Sequence, residues 1–139
     1  MTGIIVTGHG RFAEGLFSAV QLIAGPQDSF AAVNFLEGET GEGLQAKLRQ
    51  AAEQLACEEL VFCTDIAGGT PFNQSVLLSS QLKGKCLVFS GTNMPFLLQA
   101  LFDREDALDE LEGRWLSGPV QVVPYHAGKK VRHVQEGGI

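Results

Sequence analysis

Four short stretches of the chain are almost continuously apolar, with little alternation between hydrophobic and polar positions. They run from Gly3 to Thr7, from Phe30 to Phe35, from Leu60 to Thr64 and from Lys85 to Ser90. Such runs are typical of strands that are buried on both faces, as in a parallel sheet. We therefore predict four parallel strands in one sheet.

The segments between these runs carry apolar residues at three- and four-residue spacing, which is the pattern of amphipathic helices. The first segment ends at Gly25-Pro26, and the second begins after Thr40, a candidate N-cap. A third helix is predicted to begin at Pro71 and to run to about Leu82. A fourth is predicted to begin near Pro95.

The last part of the chain changes in character. An acidic stretch from Asp103 to Glu112 is predicted to be helical in part, and Val120 to Val123 is predicted to form an edge strand between two prolines. Alternating strands and helices predict a single α/β domain with right-handed crossovers, helices on both faces of a mostly parallel sheet, and a fifth, antiparallel edge strand. We divide the domain into a core, residues 1–125, and a basic tail, residues 126–139.

Composition narrows the classes of protein. The net charge of −6 argues against a nucleic-acid binder, and the basic segment Lys129–Arg132 fits a solvated tail better than a binding patch. No apolar run approaches the roughly 20 residues that span a bilayer, and the amino terminus lacks a signal-peptide pattern, so we predict a cytoplasmic protein. Cys57, Cys63 and Cys86 lack metal-ligand spacing and are predicted to be small core residues, and no metal or cofactor is predicted.

Candidate chemistry lies where the strands end, because ligands of open α/β sheets bind beyond the carboxyl ends of the strands. His9 follows the first strand between two glycines, which let the backbone bend and a partner approach closely. A histidine there can be a general base, a metal ligand, a nucleophile or a structural residue. Asp65 follows the third strand and can orient the ring by accepting from Nδ1–H, or it can be a turn residue.

The segment Gly68-Gly69-Thr70-Pro71 leads directly into the third helix. Backbone amides at a helix start, with a threonine hydroxyl beside them, form an anion site. An ordinary turn with Thr70 as N-cap and Pro71 at the first helical position is the alternative, and both can hold together. With His9 and Asp65 at the same edge of the sheet, the segment indicates a nucleophilic histidine with a phosphate cradle. The other histidines, His126 and His133, lie in or beside the basic tail and are predicted to be surface residues.

Four stretches together resemble the IIA component of the mannose-type sugar phosphotransferase system. The resemblance extends from Met1 to about Phe102, and the Asp-x-x-Gly-Gly-Thr-Pro-Phe-Asn motif is its most specific part. The stretches are Ile4–Gly10, Phe35–Glu39, Asp65–Asn73 and Gly91–Pro95.

The resemblance implies a phosphocarrier. His9 matches the histidine that accepts a phosphoryl group from the phosphocarrier protein HPr and hands it to a IIB component, which phosphorylates sugar during transport. Asp65 matches the orienting aspartate, and Thr70 matches the hydroxyl position of the phosphate cradle. Family members are homodimers in which the last strand, here Val120–Val123, joins the partner's sheet. Contact with the membrane is implied only through the IIC and IID permease, and the transported sugar is not specified.

Three other functions stay open. A related branch with a similar fold feeds a dihydroxyacetone kinase instead of a transporter. A histidine-nucleophile phosphatase is expected to carry an arginine directly before its histidine and a second histidine late in the chain, whereas here Gly8 precedes His9 and Arg11 follows it. In a pure binding domain, His9 would be inert.

Overall fold

A five-stranded sheet with helices on both faces builds the protein, as seen in a computed structural model that describes residues 1–117 and 123–126. Strands β1 to β4 run parallel in the order β2-β1-β3-β4, which confirms the predicted α/β class. The strands are β1 (Gly3–His9), β2 (Phe30–Phe35), β3 (Glu59–Thr64), β4 (Lys85–Ser90) and β5 (Val123–His126). The helices of this part of the chain are α1 (Phe12–Ala24), α2 (Gly41–Leu55), α3 (Thr70–Ser79), α4 (Met94–Asp103) and α5 (Leu108–Ser117).

The sheet divides the apolar core into two layers. Ile4 and Val6 of β1 point to the layer that α1, α4 and α5 cover, and Ile5 points to the layer under α2 and α3. Alternate residues of a strand face opposite sides, so a strand buried on both faces must be apolar throughout. The continuous apolar runs of the sequence follow from this double burial.

The helix boundaries largely follow the predicted signals. Thr40 caps α2, because its Oγ1 accepts from the Gly43 N–H at 3.0 Å, and α1 ends at Ala24 just before Gly25. Helix α3 ends at Ser79, three residues before the predicted Leu82. The hydroxyls of Ser79 and Ser80 donate to backbone carbonyls one turn back, which competes with continued helix.

The acidic stretch after α4 is helical in part, as predicted. Residues 104–107 form turns, and α5 begins only at Leu108 and extends to Ser117, beyond the acidic stretch. None of the described helices combines the length and the apolar character that a membrane crossing needs.

Strand β5 covers the edge of β4 within the same chain. It runs antiparallel to β4, with Ser90 opposite Val123 and Leu87 opposite His126. Only Val123 is shared with the predicted strand Val120–Val123, since residues 118–122 lie outside the described part of the chain. His126, predicted beside the tail, ends β5. His133 and the basic segment Lys129–Arg132 also lie outside the described residues, and strand exchange stays a prediction.

Candidate functional site

The two residues expected to act together meet at the carboxyl edge of the sheet. His9 is the last residue of β1, which therefore continues past the predicted end at Thr7, and Asp65 directly follows β3. Asp65 Oδ2 accepts from the His9 backbone N–H at 2.8 Å and lies 2.6 Å from His9 Nδ1. Asp65 Oδ1 accepts from the Ile66 N–H at 2.9 Å. The carboxylate therefore contacts both the backbone and the ring of His9.

The position of Asp65 is set by the neighbouring strand β4. The N–H of Gly91, the residue after β4, donates to the Asp65 carbonyl at 2.8 Å, and the Thr92 N–H donates to the Thr64 carbonyl at 3.0 Å. These bonds hold the segment after β4 against the end of β3. Asp65 is thus held by its backbone and not only by its side chain.

Gly8 leaves the space that the Asp65 carboxylate needs. A Cβ at this position would overlap the Phe12 ring and would lie 3.1 Å from Asp65 Cγ. The backbone bend expected of both glycines belongs to Gly10 alone, whose φ of +58° favours glycine. The two glycines beside His9 therefore serve different purposes.

The two nitrogens of the His9 ring have different surroundings. The side chain is 32% exposed, against 13% for Asp65. With Nδ1 on the carboxylate, Nε2 is the nitrogen that keeps a lone pair, and it has no hydrogen-bond partner among the described residues. The Nε2 atom is itself shielded from solvent, and the Phe35 ring lies edge-on at 5.9 Å between centroids. The arrangement suits a nucleophilic imidazole.

The predicted anion cradle forms the start of α3. Gly68 has a φ of +81°, and the N-cap is Gly69, not Thr70 as predicted. Gly69 is extended and its carbonyl accepts from the Asn73 N–H at 2.9 Å, so helical bonding begins one residue early. Thr70 is the first helical residue and is 1% exposed. Gly69 gives the helix no side-chain cap, and its N–H donates to the Ile66 carbonyl at 3.4 Å.

Asn73 is a site residue whose role sequence reasoning missed, although it lies in the most specific motif. It is fully buried, and its side-chain Nδ2 donates to the Gly68 carbonyl at 3.1 Å. Together with its backbone bond to Gly69, this contact ties the cradle loop to the first turn of α3. The loop predicted as a cradle is therefore held to the helix by both the side chain and the backbone of Asn73.

The described part of the chain contains no cluster of metal ligands, and two of its cysteines are buried. There, His, Cys, Asp and Glu side chains form no group of three that could hold a metal ion. Cys63 and Cys86 are buried, and burial raises the pKa of the first thiol to about 12 and of the second to about 11. Cys57 is half-buried, which differs from the predicted core position.

Comparison with known proteins gives consistent matches. Residues 3–112 match the family model for the fructose IIA component of the phosphotransferase system. The chain is 35% identical over 106 residues to the fructose-specific EIIA component of Bacillus subtilis strain 168, covering 76% of this chain and 72% of that protein. It is 34% identical over 115 residues to the mannose-specific EIIAB component of Escherichia coli K12, covering 80% of this chain but only 35% of that longer protein.

Solved structures show the same likeness. The phosphotransferase system component EIIA of Streptococcus agalactiae superimposes with a TM-score of 0.78 at 32% identity, covering 84% of this chain and 91% of that one. The mannose/sorbose-specific IIA subunit of Enterococcus faecalis gives a TM-score of 0.73 at 25% identity, covering 82% and 86%.

Proposed function

The chain belongs to the mannose/fructose IIA family of the sugar phosphotransferase system, and from this we propose that it is a phosphocarrier that accepts a phosphoryl group on His9 and passes it to another protein. The observation that carries the proposal is the 2.6 Å contact between His9 Nδ1 and Asp65 Oδ2. It engages one ring nitrogen and leaves Nε2 as the nucleophile.

The transfer is an in-line displacement at phosphorus. The lone pair of Nε2 forms the new P–N bond while the P–N bond to the donor imidazole breaks and its electron pair returns to that ring. Positive charge that builds on the His9 ring is offset by the Asp65 carboxylate through Nδ1–H. The phosphoryl oxygens are received by the amides of Gly68 and Gly69 and by the Thr70 hydroxyl at the amino terminus of α3. This requires the Gly69 N–H to leave the Ile66 carbonyl, 3.4 Å away, and the buried Thr70 to become accessible. Positioning and charge stabilisation suffice, with neither metal nor cofactor.

Transfer also requires that the shielded Nε2 atom become accessible to the donor. Because the atom is covered while a third of the side chain is exposed, the donor reaches it only after a local shift of the loops around His9. Small shifts of this kind are common at protein interfaces on binding. The docked donor then also excludes water from the reacting atoms.

The partners we propose are HPr as donor and a IIB component as acceptor. The Escherichia coli relative is named an EIIAB component, which supports a B component as the acceptor. We further propose a cytoplasmic homodimer that exchanges its last strand and meets the membrane only through a IIC/IID permease. The net charge of −6 suits electrostatic steering of a basic donor surface.

The test is phosphorylation from labelled phosphoenolpyruvate with enzyme I and HPr, followed by peptide mapping and addition of IIB. The expected result is a single acid-labile phosphoryl group per chain on the His9 peptide, discharged by IIB and absent from His9→Gln. No transfer, with enzyme I and HPr shown to be active, would refute the carrier. Discharge to a dihydroxyacetone kinase instead of IIB would assign the other branch, and repeated turnover of a phosphate ester would assign a phosphatase.

A further inference from the structure

We propose that Phe35 is a positioning residue that restrains the His9 imidazole for phosphoryl transfer, an inference that rests on the proposed function of His9. Phe35 ends β2 and lies directly opposite His9 in the parallel pairing of β1 and β2. The two rings meet edge-to-face, with centroids 5.9 Å apart and planes inclined by 72°. This geometry is favoured between aromatic rings.

Asp65 alone does not fix where Nε2 points. Its hydrogen bonds to the His9 backbone and to Nδ1 both end on the same oxygen, Oδ2. The ring can therefore tilt about that contact, and Nε2, on the far side of the ring, moves most. A second contact from another direction is needed to define the ring plane. The Phe35 ring provides it, because it comes from β2 on the opposite side of β1 from β3.

Phe35 is itself held in place by the strand end. Its carbonyl accepts from the Gly10 N–H at 2.7 Å, which ties it to the residue directly after His9. Its side chain packs on the core layer under α2 and α3. Phe35 is thus held by its backbone and by its side chain, and its contact with His9 is a fixed feature of the sheet edge. Since phosphoryl transfer depends on in-line approach, restraint of the ring bears directly on rate.

The experiment compares Phe35→Leu with Phe30→Leu, a matched change at the other end of the same strand. Phe30 is 7% exposed and stacks on Phe17 at 4.8 Å, far from His9. For Phe35→Leu we expect kcat for transfer from phospho-HPr to fall about tenfold with KM unchanged, and the NMR couplings that report His9 χ2, the angle of the ring plane, to become averaged. Phe30→Leu should lower thermal stability and leave both readouts unchanged, and Phe35→Tyr should restore them.

The outcomes separate this inference from the proposed function. The NMR couplings are read on the unphosphorylated protein and do not depend on transfer. A wild-type chain that takes no phosphoryl group overturns the carrier function and with it any role of Phe35 in transfer. A wild-type chain that transfers, together with a Phe35→Leu variant of equal kcat, overturns the role of Phe35 alone.

Discussion

Asp65 binds His9 twice through a single oxygen, Oδ2, which accepts from the backbone N–H and contacts ring Nδ1. The backbone at the end of β1 and the His9 side chain therefore both contact the same carboxylate, which directly follows β3. Any change at Asp65 acts on the strand end and on the ring together. A substitution at His9 removes the contact of Oδ2 with ring Nδ1 but keeps its hydrogen bond from the backbone N–H.

Replacing Asp65 by Asn should slow phosphoryl transfer to His9 by roughly a hundredfold, because the ring loses the negative charge that offsets its developing positive charge. The amide also places an N–H₂ group against either His9 or the Ile66 N–H. The measurement is the single-turnover rate from phospho-HPr. Asp106→Asn, which removes only a surface contact to Arg114, is the matched control and should transfer at the wild-type rate. An equal rate for Asp65→Asn would contradict the orienting role.

Replacing Gly8 by Ala should destabilise the fold by about 1–3 kcal/mol, since the new Cβ overlaps Phe12 and crowds Asp65. Urea denaturation measures the change. Gly15→Ala is the matched control, because a Cβ at this position in α1 meets nothing within 4 Å and alanine favours the helix by about 1 kcal/mol. The two substitutions should thus shift the unfolding midpoint in opposite directions. A neutral Gly8→Ala would show that the site has more room than the structure indicates.

Replacing Asn73 by Ala should cost about 0.5–1.5 kcal/mol and slow transfer, because the partly buried Gly68 carbonyl loses its donor and the cradle loop loosens. Ser75→Ala is the control in the same helix, since it removes a buried bond to the Pro71 carbonyl without touching the loop. Both variants should lose stability by calorimetry. Only Asn73→Ala should also transfer more slowly, and equal transfer rates in the two would rule out the preorganising role.

Thiol labelling should distinguish Cys57 from the two buried cysteines. Burial raises the pKa of Cys63 to about 12, so at pH 8 its thiol is protonated as well as inaccessible. Alkylation of the folded protein followed by mass spectrometry should modify Cys57 first, and Cys57→Ser should abolish that rapid phase. Rapid labelling of Cys63 would contradict its burial.

The raised pKa of Cys63 should also make the free energy of unfolding fall as the pH rises above 9. The unfolded chain releases this thiol proton near pH 9, whereas the folded protein retains it to about pH 12.

The sequence predicted the elements well where a local signal marks them. Thr40 precedes α2 and caps it with its side-chain oxygen. Strand β2 has the predicted bounds from Phe30 to Phe35. The end of α3 was missed because two serine hydroxyls compete for the backbone there. The start of α3 was missed by one residue because glycine at position 69 takes the extended N-cap conformation that was assigned to Thr70.

The pairing of His9 with Asp65 was predicted from the rule that parallel strands end at one edge of a sheet, and the structure places the two side chains in contact. The purpose of Gly8 was not predictable, because it depends on Phe12 and Asp65 meeting at one point in space. The roles of Phe35 and Asn73 lie in the same category. Neither residue type is typical of an active site. The Phe35 contact joins two distant strand ends, and the Asn73 contact depends on how the loop after β3 folds back on α3.

The sequence by itself determined the α/β class, the order of the elements and the edge of the sheet where the chemistry lies, because burial on both faces and helix capping leave local patterns along the chain. Only the tertiary structure decided which atoms meet there. The shared oxygen of Asp65, the Phe35 ring beside His9 and the Asn73 bond to the cradle all depend on strand register and on loop conformation. The first two arise from packing between segments that are distant in the sequence, and the third arises from the conformation of one loop. None of them leaves a pattern of hydrophobic and polar positions along the chain.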